Sequence, residues 1–446
     1  MDHYLTNDSP SKAISRFALP IAVGSLFQQI YTLVDSAVVG KYVGEAALAS
    51  IGASFALTTI FICIGVGGGA GASVLIARYF GSRNYKRMKT AIFTSIIGFL
   101  VLALALSAFG LFFSKNLMAI LQTPEQILDM AVLYLNIYFY GLPFLFMYNI
   151  ISALYQALGE SKIPLYFLIF SSVLNVILDV YFVRDLGFGL AGAAYATLIA
   201  QSLSAVLSFF VFTRKINTIK TENTKIFDKK ELGLVSKLAI PSIVQQSTIT
   251  IGQLLVQSVV NSFGVEILAG FSAAMRVESL IIVPITSLGN AVSSYTSQNV
   301  GARKMERIGK GLRASLTMVG LYAVVILGFL RVYYSSIIAF FMNEASSSLA
   351  IETGIAYLNF IGFFFILVGS KHCVDGVLRG LGDVRVFTFA NIVNLFIRVS
   401  LSMTLAHKIG IGMVWYSVPL GWLFNLIIST SYYFRIKKRS YKLKDF

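Results

Sequence analysis

Charged side chains are scarce. Asp, Glu, Lys and Arg together make 13% of the 446 residues, where soluble globular domains carry roughly 25%. With 57% of residues hydrophobic and a mean hydropathy of +0.77, too few polar groups remain to cover the surfaces of soluble domains. A water-soluble enzyme is therefore excluded, and the apolar residues must face lipid. Cysteine is nearly absent as well. Cys63 and Cys373 both sit inside apolar runs, so neither a disulfide framework nor a four-ligand zinc centre can be built from them. The histidines, at positions 3, 372 and 407, are too scattered for a metal centre, and no lysine-bearing phosphate loop is present to bind ATP. Neither a cofactor, an enzymatic activity nor a partner ATPase is expected. The polar start MDHYLTNDSPSKAISRF is too long, and the apolar stretch behind it too extended, for a cleaved signal peptide. The first hydrophobic segment is expected to stay in the mature protein.

What the chain has is long apolar runs. They predict helices near 14–40, 46–77, 90–113, 126–156, 161–183, 187–213, 232–262, 265–298, 310–333, 348–378, 385–407 and 410–434. Each is long enough to cross a bilayer, which takes about 20 apolar residues. The expected fold is an all-α integral membrane protein of twelve transmembrane helices. With the N-terminus cytoplasmic, 28 of the 36 Lys and Arg fall on the inner side, so the positive-inside rule places both termini in the cytoplasm of a plasma-membrane protein. The net charge of +16 is thereby a topology signal that at most touches anionic lipid, and not a nucleic-acid footprint, which would gather on a soluble module.

The sequence also repeats itself. Ala18-Leu19-Pro20 returns as Ala239-Ile240-Pro241, Gly81-Ser82-Arg83 as Gly301-Ala302-Arg303, Leu158-Gly159-Glu160 as Leu381-Gly382-Asp383, and Gly187-Phe188-Gly189 as Gly410-Ile411-Gly412. With six spans in each half, both halves enter from the same side and form parallel repeats. The expected organisation is an N-terminal six-helix bundle over 1–214, a polar cytoplasmic linker over 215–230, and a C-terminal bundle over 231–446. Two bundles flanking a cleft suit rocking between inward-open and outward-open states.

Ionisable groups at bilayer depth are expensive and point to function. In the first half these are Asp35 and Asp179. Asn175 shares a helix face with Asp179; Tyr31 and Gln28 lie one and two turns before Asp35; Thr197 and Gln201 form another polar pair. Together they can line one pocket. Burial and a second carboxylate nearby both disfavour the charged form, which lets such a group exchange a proton, while the same oxygens with Asn175 and Thr197 suit a hard cation such as sodium. A structural role for Asp35, capping a helix end or bonding neighbouring hydroxyls, is the competing reading. In the second half Val256 repeats Asp35, within a neutral stripe of Gln246, Thr250, Gln253, Gln257 and Asn261. Gln253 and Gln257, with Gln28, are candidates to line a substrate cleft, or they bond neighbouring helices. Glu352, Lys371, His372, Asp375, Arg276, Glu278 and Arg398 read as a structural ion-pair network or as a second titrating site. The glycine-rich run Gly65-Val66-Gly67-Gly68-Gly69-Ala70-Gly71 has no βαβ unit around it and reads as close helix packing. Pro20 and Pro241 open the first helix of each half and permit a bend.

Three stretches carry a family resemblance: Gln28-Gln29-Ile30-Tyr31-Thr32-Leu33-Val34-Asp35-Ser36-Ala37-Val38-Val39-Gly40, Gln156-Ala157-Leu158-Gly159-Glu160-Ser161-Lys162-Ile163-Pro164 and Leu190-Ala191-Gly192-Ala193-Ala194-Tyr195-Ala196-Thr197. The chain resembles the multidrug and toxic compound extrusion (MATE) transporters, particularly bacterial ones, over its whole length. The resemblance implies secondary antiport, in which sodium or protons enter and organic, often cationic, compounds leave. It implies a coupling-ion site at Asp35, Asn175, Asp179 and Thr197, joined by Tyr31 and Tyr134, and a bend at Pro20 on protonation. The seventh-helix glutamate of the sodium-coupled NorM branch is absent, with Gln253 and Gln257 nearby instead, which points to coupling through the N-terminal bundle. The alternative is a flippase for a lipid-linked saccharide of the same superfamily. Twelve spans, with neither an extra helix pair nor a cationic central cavity, weigh against it.

Overall fold

A computed structural model describes residues 3–221, 224–342 and 347–442. After one turn at Tyr4–Asn7 the described chain forms twelve long helices: α1 Pro10–Tyr42, α2 Glu45–Gly81, α3 Tyr85–Ile120, α4 Glu125–Ala157, α5 Lys162–Asp185, α6 Gly189–Asn217, α7 Lys229–Asn261, α8 Val265–Gly301, α9 Met305–Phe341, α10 Ser348–Leu381, α11 Val384–Ile409 and α12 Gly412–Lys442. Each coincides with one apolar run. Eleven are both long and apolar enough to cross a membrane. The exception is α7, whose 33 residues suffice in length but carry the Gln and Thr stripe along with three lysines. The protein is a multi-pass membrane protein. Its flanks match that reading: Phe112 on α3 and Phe340 on α9 are each 83% exposed, a costly state in water and a favourable one against acyl chains.

The internal repeat is written into the backbone. Arg83 and Arg303 both adopt left-handed conformations, with φ of 57° and 59°, in the turns that join α2 to α3 and α8 to α9. Such φ values are uncommon outside glycine. Gly44 and Gly264, with φ of 106° and 101°, initiate α2 and α8 in the same way, and a side chain at either would be strained. Helix pairing repeats too. The packed pairs α2–α4, α3–α4, α4–α6 and α5–α6 of the first half correspond to α8–α10, α9–α10, α10–α12 and α11–α12 of the second.

By packing, the chain divides into one unit of residues 23–246 and another of residues 3–22 with 247–446. The sequence alone places the division at the polar linker 215–230. The cuts fall inside α1 and α7, just after Pro20 and Pro241, because the first half of each helix is buried with the unit of the other half-sequence. Leu5, Ala13, Ile14 and Phe17 share one apolar core with Leu288, Val292, Tyr295 and Leu378. The first half of α7 lies against the glycine-rich face of α2: a Cβ on Gly67 would stand 2.7 Å from the Ile243 Cα, and one on Gly71 would collide with the Ala239 backbone. The glycine run is thus a surface for close helix approach.

Candidate functional site

The site of the first unit is built from α1, α4, α5 and α6. Helix α5 presents Val173, Ile177 and Tyr181 outward, all at least half exposed, and turns Ser172, Asn175 and Asp179 inward, all buried. The spacing of 3.6 residues per turn alone accounts for this separation. Immediately after Asp179 the helix widens into π turns over Val180–Asp185, an irregularity that recurs at functional positions. On α6, Tyr195, Ile199 and Leu203 face outward, leaving Thr197 and Gln201 on the inner face. Helix α1 adds Tyr31 and Asp35, and α4 adds Tyr134.

These side chains come together. The Asp35 and Asp179 carboxyl groups lie close enough to interact electrostatically with each other. Tyr31 stands beside both of them and beside Gln201, and Tyr134 beside Asp35, Asp179 and Tyr31. The Asn175 amide donates to Thr197 Oγ1 at 3.2 Å. Tyr134 also packs against an apolar cluster of Val39, Ala47, Val183, Leu190 and Ala193, which closes one flank. The decisive feature is what the acceptors lack. Oδ1 and Oδ2 of Asp179, Oδ1 of Asp35 and Oδ1 of Asn175 are all buried with no hydrogen-bond partner. Buried polar atoms are nearly always paired, and a buried unpaired carboxylate carries a large desolvation cost. Such a group of oxygens is suited to accept a proton or a hard cation. Every coupling-site residue expected from the sequence, Tyr31, Asp35, Tyr134, Asn175, Asp179 and Thr197, is brought into this one cluster.

The candidate cleft residues are more dispersed. Gln28 of the first unit and Gln253 of the second are exposed, and Gln257 donates from Nε2 to Asn261 Oδ1 at 3.3 Å. The charged residues of the second half resolve into two groups. In one, Lys371 pairs with Asp375 at 3.1 Å and donates to Asn391 Oδ1 at 3.0 Å, while Ser429 donates to Asp375 Oδ1 at 2.9 Å. In the other, the Tyr357 hydroxyl donates to Glu278 Oε2 at 2.6 Å, with Arg398 close enough to interact electrostatically with both. Arg276 and Glu352 are exposed and belong to neither. Tyr357, Asn391 and Ser429 were not foreseen, since a neutral polar residue in an apolar run gives no signal of its partner.

A repeated arrangement of long apolar helices with unpaired carboxylates buried among them is one found in membrane transporters. The MatE family model matches residues 20–181 and again 241–404, once in each half. The chain belongs to the MATE family of multidrug efflux transporters. It is 29% identical to the probable multidrug resistance protein YpnP of Bacillus subtilis, over 96% of each chain. It is 24% identical to the multidrug export protein MepA of Staphylococcus aureus, over 93% of this chain and 91% of that one. A MATE family multidrug resistance transporter of the MOP superfamily, solved in an outward-facing conformation, superposes with a TM-score of 0.90 at 23% identity, covering 99% of this chain and 98% of that one. A MOP superfamily transporter from Pyrococcus furiosus gives the same TM-score and identity over 97% of both chains. These two structures establish the fold.

Proposed function

We propose that the protein is a secondary active exporter of organic, often cationic, compounds, driven by the inward flow of protons or sodium ions. The observation that carries this reading is the set of buried, unpartnered oxygens on Asp35, Asn175 and Asp179. Binding of the coupling ion there, with Thr197, Tyr31 and Tyr134 completing the surroundings, relieves their desolvation cost. The ion favours one conformation and the substrate the other, since ligands with equal affinity for both states would move nothing. Gln28, Gln253 and Gln257 supply neutral hydrogen-bonding groups for varied substrates. Pro20 provides the bend, because its missing N–H leaves a backbone carbonyl of α1 free. The protein works in the plasma membrane with both termini in the cytoplasm, as its basic residues suggest.

The test is export of a fluorescent organic cation from proteoliposomes under separately imposed proton and sodium gradients, comparing wild type with Asp35→Asn. Movement driven by one gradient and lost in the variant supports the reading and names the ion. A folded wild type that moves nothing under either gradient, or a fully active variant, defeats it.

A further inference from the structure

At one end of the first unit, where α2 and α3 meet the start of α7, a cavity of about 880 Å³ is lined by Lys86, Arg87, Lys225, Lys229, Lys230 and Lys237. Two carboxylates also line it, and both are engaged. Glu231 accepts from the Tyr79 hydroxyl at 2.9 Å, with Arg87 at 4.0 Å. Asp228 pairs with Lys225 at 3.2 Å and accepts the Lys230 backbone N–H at 2.8 Å. The other four cations, Lys86, Lys229, Lys230 and Lys237, form no ion pair among the described residues. Four ammonium groups with no ion pair among the described residues, gathered around one cavity, repel one another and create a local field that favours an anion. The N-terminus of α7 adds its dipole in the same sense.

The surroundings select the kind of anion. Leu234 lines the cavity and is 39% exposed; Ile226 and Phe227, just before α7, are 70% and 40% exposed. An anionic pocket ligand bordered by exposed apolar side chains at a helix terminus is itself amphiphilic. We propose that this cavity is a binding site for the phosphodiester headgroup of an anionic phospholipid, whose chains lie beside Ile226, Phe227 and Leu234. Bound there, the lipid bridges α3 and the segment leading into α7. The site is separate from the Asp35 and Asp179 cluster, and its test is independent of transport.

The experiment is native mass spectrometry of the full-length protein in neutral detergent, titrated with phosphatidylglycerol or phosphatidylcholine. Wild type is compared with the triple variant Lys229→Gln, Lys230→Gln, Lys237→Gln, with thermal melting to verify folding. The expected result is one tightly retained phosphatidylglycerol in wild type, bound on the order of a hundredfold more weakly by the variant, with phosphatidylcholine unaffected. Equal phosphatidylglycerol retention by wild type and folded variant overturns the proposal. Displacement by millimolar inorganic phosphate or glycerol phosphate overturns the lipid assignment in favour of a soluble anion. Wild type alone gives a further check: retention that does not fall between about 0.05 and 0.5 M salt also overturns it.

Discussion

Asp179 on α5 faces Asp35 on α1 with both of its carboxylate oxygens buried and undonated. A pair so placed is unfavourable for stability when charged, and under the proposed function one or both groups act on an ion. Asp179→Asn therefore separates the two properties. Its amide can donate to Asp35, so the variant is expected to melt at or above the wild-type temperature at neutral pH, with a gain of about 1–3 kcal/mol. Gradient-driven export should fall at least about tenfold. Lower stability combined with retained export would contradict both halves of the expectation. Melting curves and proteoliposome export on the same preparation decide it.

Thr197 holds Asn175 through the 3.2 Å hydrogen bond to its hydroxyl. Thr197→Val keeps the shape, removes that acceptor and leaves the amide buried without a partner, at a cost of about 1–2 kcal/mol. The Asn175 side chain is then no longer held in its present rotamer by that bond. Half-saturation for the coupling ion is expected to rise about tenfold, with maximal export less affected. A titration of export against sodium or proton concentration measures this, and an unchanged midpoint would remove Thr197 from the site.

Gly71 and Gly52 both lie on α2, yet only Gly71 abuts a neighbouring backbone. A Cβ at Gly71 meets Ala239 of α7, whereas one at Gly52 meets nothing within 4 Å. Gly71→Ala must push two helices apart and is expected to cost about 1–3 kcal/mol. Gly52→Ala should gain about 0.5–1 kcal/mol from helix propensity. Opposite shifts in melting temperature are the expected outcome; shifts of the same sign would deny the close approach.

Lys371 and Asp375 form an ion pair with side chains only 3% and 5% exposed. Lys371→Met leaves Asp375 charged and buried, a loss of about 3–5 kcal/mol. The double variant Lys371→Met, Asp375→Leu removes both charges and should recover most of that loss. A thermal double-mutant cycle reads the coupling. Additive losses would show that the two residues do not depend on each other.

The helices were legible because membrane burial demands long apolar runs, and Asp35 and Asp179 stood out because a carboxylate within such a run is costly. Asn175 was legible from its position one turn before Asp179. Other relationships require tertiary contact and leave no local trace. Glu278 and Tyr357 are 79 residues apart, and the Asn391 and Ser429 partners of the Lys371 and Asp375 pair sit on different helices. The division of the units was hidden for a related reason. Helices α1 and α7 run unbroken through it, so neither composition nor a loop marks the place where each passes from one core to the other.

That crossing imposes an order on biogenesis. Residues 3–22 are made before residues 23–246, but the core they complete consists otherwise of residues 247–446, which are made after both. At a synthesis rate of about 5–20 residues per second, Leu5, Ile14 and Phe17 wait on the order of tens of seconds before Leu288 and Tyr295 exist to receive them. The first unit is likewise incomplete until translation has passed residue 246. A polypeptide truncated in the polar linker therefore lacks a helical piece of the only unit it could form, and carries at its other end a segment with no place to dock.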